Sequence, residues 1–374
     1  MNLSVGLPRM HKEAGEKRDF LPELVSFLDR LGARDIVLEE GYGSGMDIPM
    51  AEYLAASPRA RQGTWEESLA QDVVVVLRCP DDATLRKLRP GTLLYSMLHY
   101  PTRPHRVALL RELGLRGVSL DGLTDDMGKR LVENLQSVGW NGVQAAFREL
   151  TRTYRRFHDP GRRPLRATIL GAGAVGGHAA RAASRYGDER LRQSMLASGV
   201  PGIEVSLLDH DLTGHENYML SKLEHTDLLV DATYRPDPSR PVVPNDWVAA
   251  LPAHAVMLDL SVDPYDFTTD PPQLKGIEGI PEGNLDQYVF KPEDPVYARM
   301  DKRINTKHRR VALSCYSWPG VHPRECMEVY GKQVEPLLRV AFEKPLDELD
   351  EKQGRYFERA VARAESTRWH KANR

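Results

Sequence analysis

The chain has 374 residues, of which 41% are hydrophobic and 28% charged, and a formal net charge of −2. This is the composition of an ordinary globular protein long enough to build two cores. Its basic residues are spread along the chain rather than gathered into a stripe, which excludes nucleic acid or an anionic membrane as the main partner.

The opening "MNLSVGLPRMHKEAGEKR" lacks the apolar centre of a signal peptide, and no apolar run approaches the ~18 residues of a membrane span. Three cysteines without C-x-x-C spacing give neither a disulfide framework nor a zinc cage, so no metal is expected. A cytoplasmic location is expected. From residue 1 to about 125, strands and helices alternate. "LSVGL" reads as a strand, "LPELVSFLDRLGA" has helical apolar spacing, and "DIVLEEG" is a strand again. "DVVVVLRCP" is a continuous β-branched run, the mark of a strand buried on both faces. "TLLYSMLHYP" and "GVSLDG" are similar, with the helical "RPHRVALLRELG" between them. Such βαβα order predicts a mostly parallel sheet with helices on both sides.

A long helical stretch is predicted from 126 to about 155, ending in the Pro/Gly/Arg-rich "HDPGRRP". A second α/β unit follows, with strands at "LRATILG", "IEVSLLD", "DLLVDAT", "AVMLDLSVD" and "RRVALSCYS". After "WPGVHPRE" one helix, "CMEVYGKQVEPLLRVAF", leads into a charged tail that reads as a solvated helix face.

Gly171, Gly173 and Gly176 form G-x-G-x-x-G directly after an apolar strand and before an Ala-rich helix. In that context the motif predicts a dinucleotide site made by Gly171, Gly173, Ala174, Val175 and Gly176. The first glycine turns the chain, the second admits a pyrophosphate, and the third allows close helix packing. Asp209 ends "EVSLLD" and is the candidate for the adenosine ribose hydroxyls. It comes later than the roughly 20 residues usual for this element, a delay that the segment 187–202 accounts for as an insertion. A carboxylate there repels a 2′-phosphate, which favours NAD over NADP; His210 and Arg185 nearby would soften that preference.

These motifs together resemble the alanine dehydrogenase / saccharopine dehydrogenase (lysine-forming) superfamily, which includes the N-terminal region of nicotinamide nucleotide transhydrogenase. The resemblance rests on "VGLP", "EKRDFLPE", "VLEEGYGSG", "VVVVLRCPDD", "LRPGTLLYSMLHYP", the Gly-rich unit, "VMLDLSVDP" and "WPGVHPRE". "LTDDMGKRLVENLQSVGWNG" and the "PRE" of 323–325 lean toward the saccharopine branch. It implies two Rossmann-like domains with mostly parallel sheets, the dinucleotide-binding domain (151–320) inserted into a substrate domain made of 1–150 and the C-terminal helices 321–374. Family members assemble variously, so a homo-oligomer is compatible with it.

The same resemblance implies residue roles. His99, which alone reads only as a polar residue where a strand meets water, matches the family's acid/base or substrate-orienting histidine. Arg78 stands where the family usually has a catalytic lysine. Lysine can shed a proton when buried, whereas a guanidinium stays charged, so Arg78 is suited to clamping a carboxylate and not to shuttling protons. Lys17 or Arg18 would anchor a substrate carboxylate. Asp263 would hold the substrate amine or the cofactor ribose.

The implied function is an NAD-dependent dehydrogenase acting on the C–N bond of an amino acid or an N-substituted (saccharopine- or opine-like) amino acid through an imine. Amino acids and 2-oxo acids are the expected small-molecule partners. Alanine-type oxidative deamination is the alternative, and a second cationic site at Lys129–Arg130 would separate the two. A dinucleotide-binding sensor without turnover is a third reading, motivated by Arg78.

Overall fold

The computed structural model describes residues 2–11 and 13–372. It divides into two compact units, one of residues 1–134 and 322–374 and the other of 135–321.

The first unit is built on six strands: β1 (Val5–Leu7), β2 (Ile36–Glu39), β3 (Ala60–Gly63), β4 (Val73–Arg78), β5 (Leu93–Met97) and β6 (Arg116–Ser119). Their order is β3-β2-β1-β4-β5-β6, parallel throughout. The run "VVVVLR" forms β4 because its β-branched side chains fill both faces of a central strand, and only Arg78 is not fully buried. Helix Pro22–Arg30 starts with proline in its first turn and buries Leu24, Val25, Phe27 and Leu28. Helix Pro323–Glu343 returns the end of the chain to this unit. It buries Met327, Tyr330, Val334, Leu337 and Leu338 at helical spacing in the same core as Leu7 and Val75.

The second unit carries β7 (Leu165–Leu170), β8 (Ile203–Leu208), β9 (Leu228–Asp231), β10 (Val256–Asp259), β11 (Val289–Phe290) and β12 (Val311–Ser314). They lie in the order β11-β12-β10-β9-β7-β8, with β11 alone antiparallel. Both sheets reverse strand order around their first strand, between β1 and β4 and between β7 and β9. Ligands of open α/β sheets bind at the carboxyl ends of strands at such a switch point.

Three expectations need correction. Residues 126–134 are not helical. Asp125 Oδ1 accepts the amides of Met127 at 2.9 Å and Lys129 at 2.8 Å, and Gly128 at φ +79° closes the turn. The helix is Leu135–Thr153, and it belongs to the second unit, so the division falls at 134/135 and not at 150. Its glycines explain this: a Cβ on Gly139 would lie 2.8 Å from the Ala179 nitrogen, and one on Gly142 would lie 2.4 Å from Leu260 Cδ2. The tail is not simply solvated. Ser366 Oγ accepts the Gly117 amide of β6 at 3.1 Å, and Glu365 is buried against Arg116 at 3.3 Å. The insertion contains its own helix, Glu189–Ala197, capped by Asp188. Among the described residues no helix is long and apolar enough to cross a membrane.

Candidate functional site

The carboxyl edge of the first sheet places three histidine- or arginine-centred ion pairs in a row. At the end of β4, Arg78 Nη2 lies 3.0 Å from Glu13 Oε1. The β4–β5 register shifts between Val75 and Arg78, an irregularity of the kind that re-aims a side chain. Beyond β5, His99 sits at φ +52°, in the left-handed region that few non-glycine residues adopt. Asp121, in the short turn Leu120–Gly122 after β6, holds it there. Its Oδ1 accepts the His99 amide at 3.1 Å and the Ser119 hydroxyl at 2.9 Å, and its Oδ2 lies 3.1 Å from His99 Nδ1. The third pair is at β2, where the buried Glu39 accepts the Arg9 amide at 2.7 Å and sits 2.6 Å from His11 Nε2.

An ionised carboxylate only accepts hydrogen bonds, so Asp121 fixes the proton of His99 on Nδ1 and leaves Nε2 to exchange protons with a ligand. The ring is 41% exposed, open enough for that exchange. Burial works to raise the Asp121 carboxyl, but the hydrogen bond and charge of His99, with further help from Ser119, hold it down at about 2. Because its folded-state value is depressed, the stability it contributes is present above the ordinary carboxylate range near ~4 and is lost as pH falls toward 2. The stability difference between wild type and Asp121→Asn should therefore shrink steadily over that interval in acid unfolding followed by circular dichroism. A constant difference would show that the carboxylate contributes nothing.

Lys17 and Arg18 differ sharply. Lys17 is exposed, whereas Arg18 is buried and forks onto Glu16, with Nε 2.8 Å from Oε1 and Nη2 2.6 Å from Oε2. Burial opposes the Arg18 charge, but Glu16 outweighs it and raises the guanidinium further. Arg18→Met would remove that fork from a buried carboxylate, and breaking one side of such a pair typically costs about 3–5 kcal/mol. Thermal unfolding should show a fall of several degrees; a change within 1–2 °C, roughly the scale of a few tenths of a kcal/mol, would mean that Glu16 is satisfied without it.

A cavity of about 80 Å³ opens beside Arg78 and is also lined by Arg9, His11, Glu13, Trp65 and Thr84; His99 does not line it. Arg130, one of the two candidate second cations, lies by the His99–Asp121 pair. Its Nε donates to the Asp121 carbonyl at 2.9 Å and its Nη2 is 4.0 Å from Asp121 Oδ2, with 42% of the side chain exposed. Lys129 is exposed; its amide donates to Asp125 Oδ1 at 2.8 Å and its carbonyl accepts the Asp125 amide at 2.8 Å.

In the second unit the Gly-rich loop has the features a pyrophosphate needs. Gly171 is at φ +94°, and a Cβ there would lie 2.5 Å from the Ala232 carbonyl oxygen. A Cβ on Gly176 would lie 1.9 Å from the Gly171 oxygen, so the third glycine is required for the helix to approach the strand. Around Gly173 the space is open, with no atom within 4 Å of a Cβ. Helix Ala174–Ala183 begins there with no acidic residue in its first turn, Ala174 exposed and Val175 half-buried. Asp209 follows β8; the His210 amide, at 2.8 Å, holds its exposed carboxyl below the usual range. It is ready to accept from hydroxyls.

Asp263 lies beyond β10, next to Val262 at φ +61°. Its Oδ2 pairs with Arg235 Nη2 at 2.8 Å. Sequence reasoning missed Asp121, Glu39, Arg235 and the buried Asp231, Asp259 and Lys275. A signal existed for some of these. "GVSLD", "LLVD" and "VMLD" are all apolar strands that end in aspartate.

Compared with known proteins, residues 6–138 match the family described as Alanine dehydrogenase/PNT, N-terminal domain. The alanine dehydrogenase of Geobacillus stearothermophilus is 23% identical over 333 residues, covering 86% of this chain and 82% of that protein. That of Mycobacterium tuberculosis is 25% identical over 277 residues, covering 70% and 73%. Among solved structures, an L-alanine dehydrogenase matches with a TM-score of 0.71 at 20% identity, covering 96% of this chain and 94% of the other. A transhydrogenase from Sinorhizobium meliloti gives 0.63 at 19% identity, covering 91% and 94%. The fold is thus the two-unit α/β fold of these enzymes. The relatives are named for alanine and not for saccharopine, so the lean toward the saccharopine branch finds no support in them.

Proposed function

We propose that the protein is an NAD(H)-dependent amino-acid dehydrogenase of the alanine dehydrogenase type, interconverting a 2-amino acid with a 2-oxo acid and ammonia. The observation that carries this reading is the His99–Asp121 pair on the same strand-end row as Arg78, within the segment that matches the alanine dehydrogenase/PNT family. The Gly171–Gly176 loop and Asp209 would hold the dinucleotide. When bound, NAD(H) supplies hydride transfer to or from the substrate Cα.

The chain's own groups do the rest. His99 Nε2 moves the protons that accompany amine, imine and carbonyl interconversion. Arg78 and either Lys17 or Arg18 hold the substrate carboxylate. Asp263 orients the amine or the nicotinamide ribose. Since arginine does not titrate, replacing the family lysine with Arg78 leaves the proton work to His99.

Arg130 favours a second reading. A half-exposed guanidinium beside the His99–Asp121 pair suits a second carboxylate, which alanine lacks and an N-substituted or dicarboxylic amino acid carries. The deciding experiment incubates the purified protein with NADH, a 2-oxo acid (pyruvate, 2-oxoglutarate or glyoxylate) and either ammonia or a panel of amino acids. Oxidation with ammonia supports the first reading. Oxidation only with an amino acid supports the second. NADH binding without consumption in any mixture overturns both and leaves a dinucleotide-binding protein without turnover.

A further inference from the structure

Three strands of the second unit bring charged or hydroxyl groups into the interior at their carboxyl ends. β9 ends at Asp231, β10 at Asp259 and β12 at Ser314, all in register. Lys275 reaches in from the chain that follows β10. Its Nζ lies 2.6 Å from Asp259 Oδ2, 3.3 Å from Ser314 Oγ and 2.9 Å from the carbonyl oxygen of Asp263. Lys275 is 2% exposed, Asp259 1% and Asp231 not at all.

The hydrogen bonds mark the charge on Asp259. Asp259 accepts from Lys275 and from the Ser314 hydroxyl (2.9 Å) on Oδ2, and from the Ser261 hydroxyl (2.9 Å) and the Val262 amide (3.0 Å) on Oδ1. Four donors on two oxygens mark an ionised carboxylate, which the Lys275 ammonium keeps low against the effect of burial. The Ser261 hydroxyl also lies within reach of Asp231 Oδ2, at 3.3 Å. Burial together with the neighbouring Asp259 charge raises the Asp231 carboxyl to about 6.

Much of what this cluster donates or accepts at its rim lands on three consecutive residues: the Ser261 hydroxyl, the Val262 amide and the Asp263 carbonyl. Val262 is β-branched and left-handed, a conformation that persists only when its surroundings over-determine it. Asp263 follows directly, half-buried, with its carboxylate on Arg235.

We propose that Lys275 and Asp259 are positioning residues, whose bonds to the Asp263 carbonyl and the Val262 amide lock the strained turn that aims the Asp263 carboxylate. The functional part of this proposal rests on Asp263 acting at the candidate active site. A purely structural role predicts something different. Neutralising both members of a buried ion pair often restores the stability lost by removing one, and activity would then return with it.

The test uses the full chain as wild type, Lys275→Met, Lys275→Met/Asp259→Asn and Asp227→Asn. The last weakens a buried pair with Arg163 at the amino edge of the same sheet. Melting temperature, amide hydrogen exchange of segment 260–266, and kcat and KM are measured well below every melting point. Lys275→Met should melt lower. The double variant should recover most of that loss, yet still exchange at 260–266 at least about tenfold faster than wild type. Its kcat should remain about 10- to 100-fold lower, the scale of a misplaced catalytic group, with KM for NADH within about threefold. Asp227→Asn should melt lower with wild-type exchange at 260–266. The proposal is overturned if exchange in the double variant is at the wild-type rate, or if Asp227→Asn loosens 260–266 equally. Should the wild type turn over no substrate, the functional reading falls, and the exchange comparison alone decides the clamp.

Discussion

His99→Ala is expected to lower kcat by about a thousandfold while leaving NADH binding within about twofold. General acid–base groups contribute roughly 10²–10⁴-fold, and the upper half of that range applies because Arg78 cannot deputise for the lost imidazole. The imidazole pairs with Asp121 and its side chain is 41% exposed, so its loss opens no enclosed cavity. Stopped-flow or steady-state turnover with the substrate pair found active, beside a fluorescence titration of NADH, separates the two effects. Asp121→Asn should fall between wild type and His99→Ala, because it leaves the ring in place but removes the charge that holds the Nδ1 proton. Retention of a tenth or more of wild-type kcat in His99→Ala would remove the histidine from the mechanism and leave the strained backbone at 99 unexplained.

Gly173→Val and Gly176→Val should both abolish tight NADH binding, with a loss of about 100-fold or more, but for different physical reasons. At Gly176 the new side chain meets the Gly171 carbonyl, a backbone atom that cannot swing aside, so melting temperature should fall together with binding. At Gly173 a Cβ meets nothing within 4 Å, and the residue's φ of −71° suits any side chain. The protein should therefore melt within a degree or two of wild type, roughly the range of neutral surface changes, while the side chain stands where the pyrophosphate must approach. Calorimetric titration with NADH beside thermal unfolding reads both. Undiminished binding by Gly173→Val would show that the loop is a Gly-rich turn and not a phosphate cradle, and would take the proposed cofactor with it.

The elements that could be read from the sequence are those whose signal is local. The β-branched run of β4 needs both faces covered wherever it sits, and the glycine spacing after β7 has one economical explanation next to a helix. The partners of the site residues were hidden because they depend on strand order. Asp121 meets His99 only because β5 and β6 are neighbours, and nothing in "LLYSMLHYP" or "GVSLDG" states that. Lys275 is far from any motif, and its burial follows from two carboxylates at the ends of adjacent strands. The error over 126–134 arose because apolar spacing there imitates a helix, whereas Asp125 and Gly128 spend the same backbone amides on a turn. Misplacing the 135–153 helix had a different cause: periodicity shows which face is buried but not against what, and the close contacts of Gly139 and Gly142 lie in the second unit.

The return of helix Pro323–Glu343 to the first unit sets the order of events during synthesis. Residues 1–134 emerge from the ribosome first, yet their core stays unfinished until Met327, Tyr330, Val334 and Leu337 have been made. Residues 135–321 are contiguous and hold all their own strands, so they can close while the earlier segment still waits. The nascent first sheet must therefore be kept from aggregation for the time it takes to translate nearly two hundred further residues. A chain stalled or truncated near residue 321 would display a folded second unit attached to a first one with an open apolar flank. Such a molecule is a natural client for chaperones and proteases, which makes the integrity of the segment after residue 321 a checkpoint on the first unit.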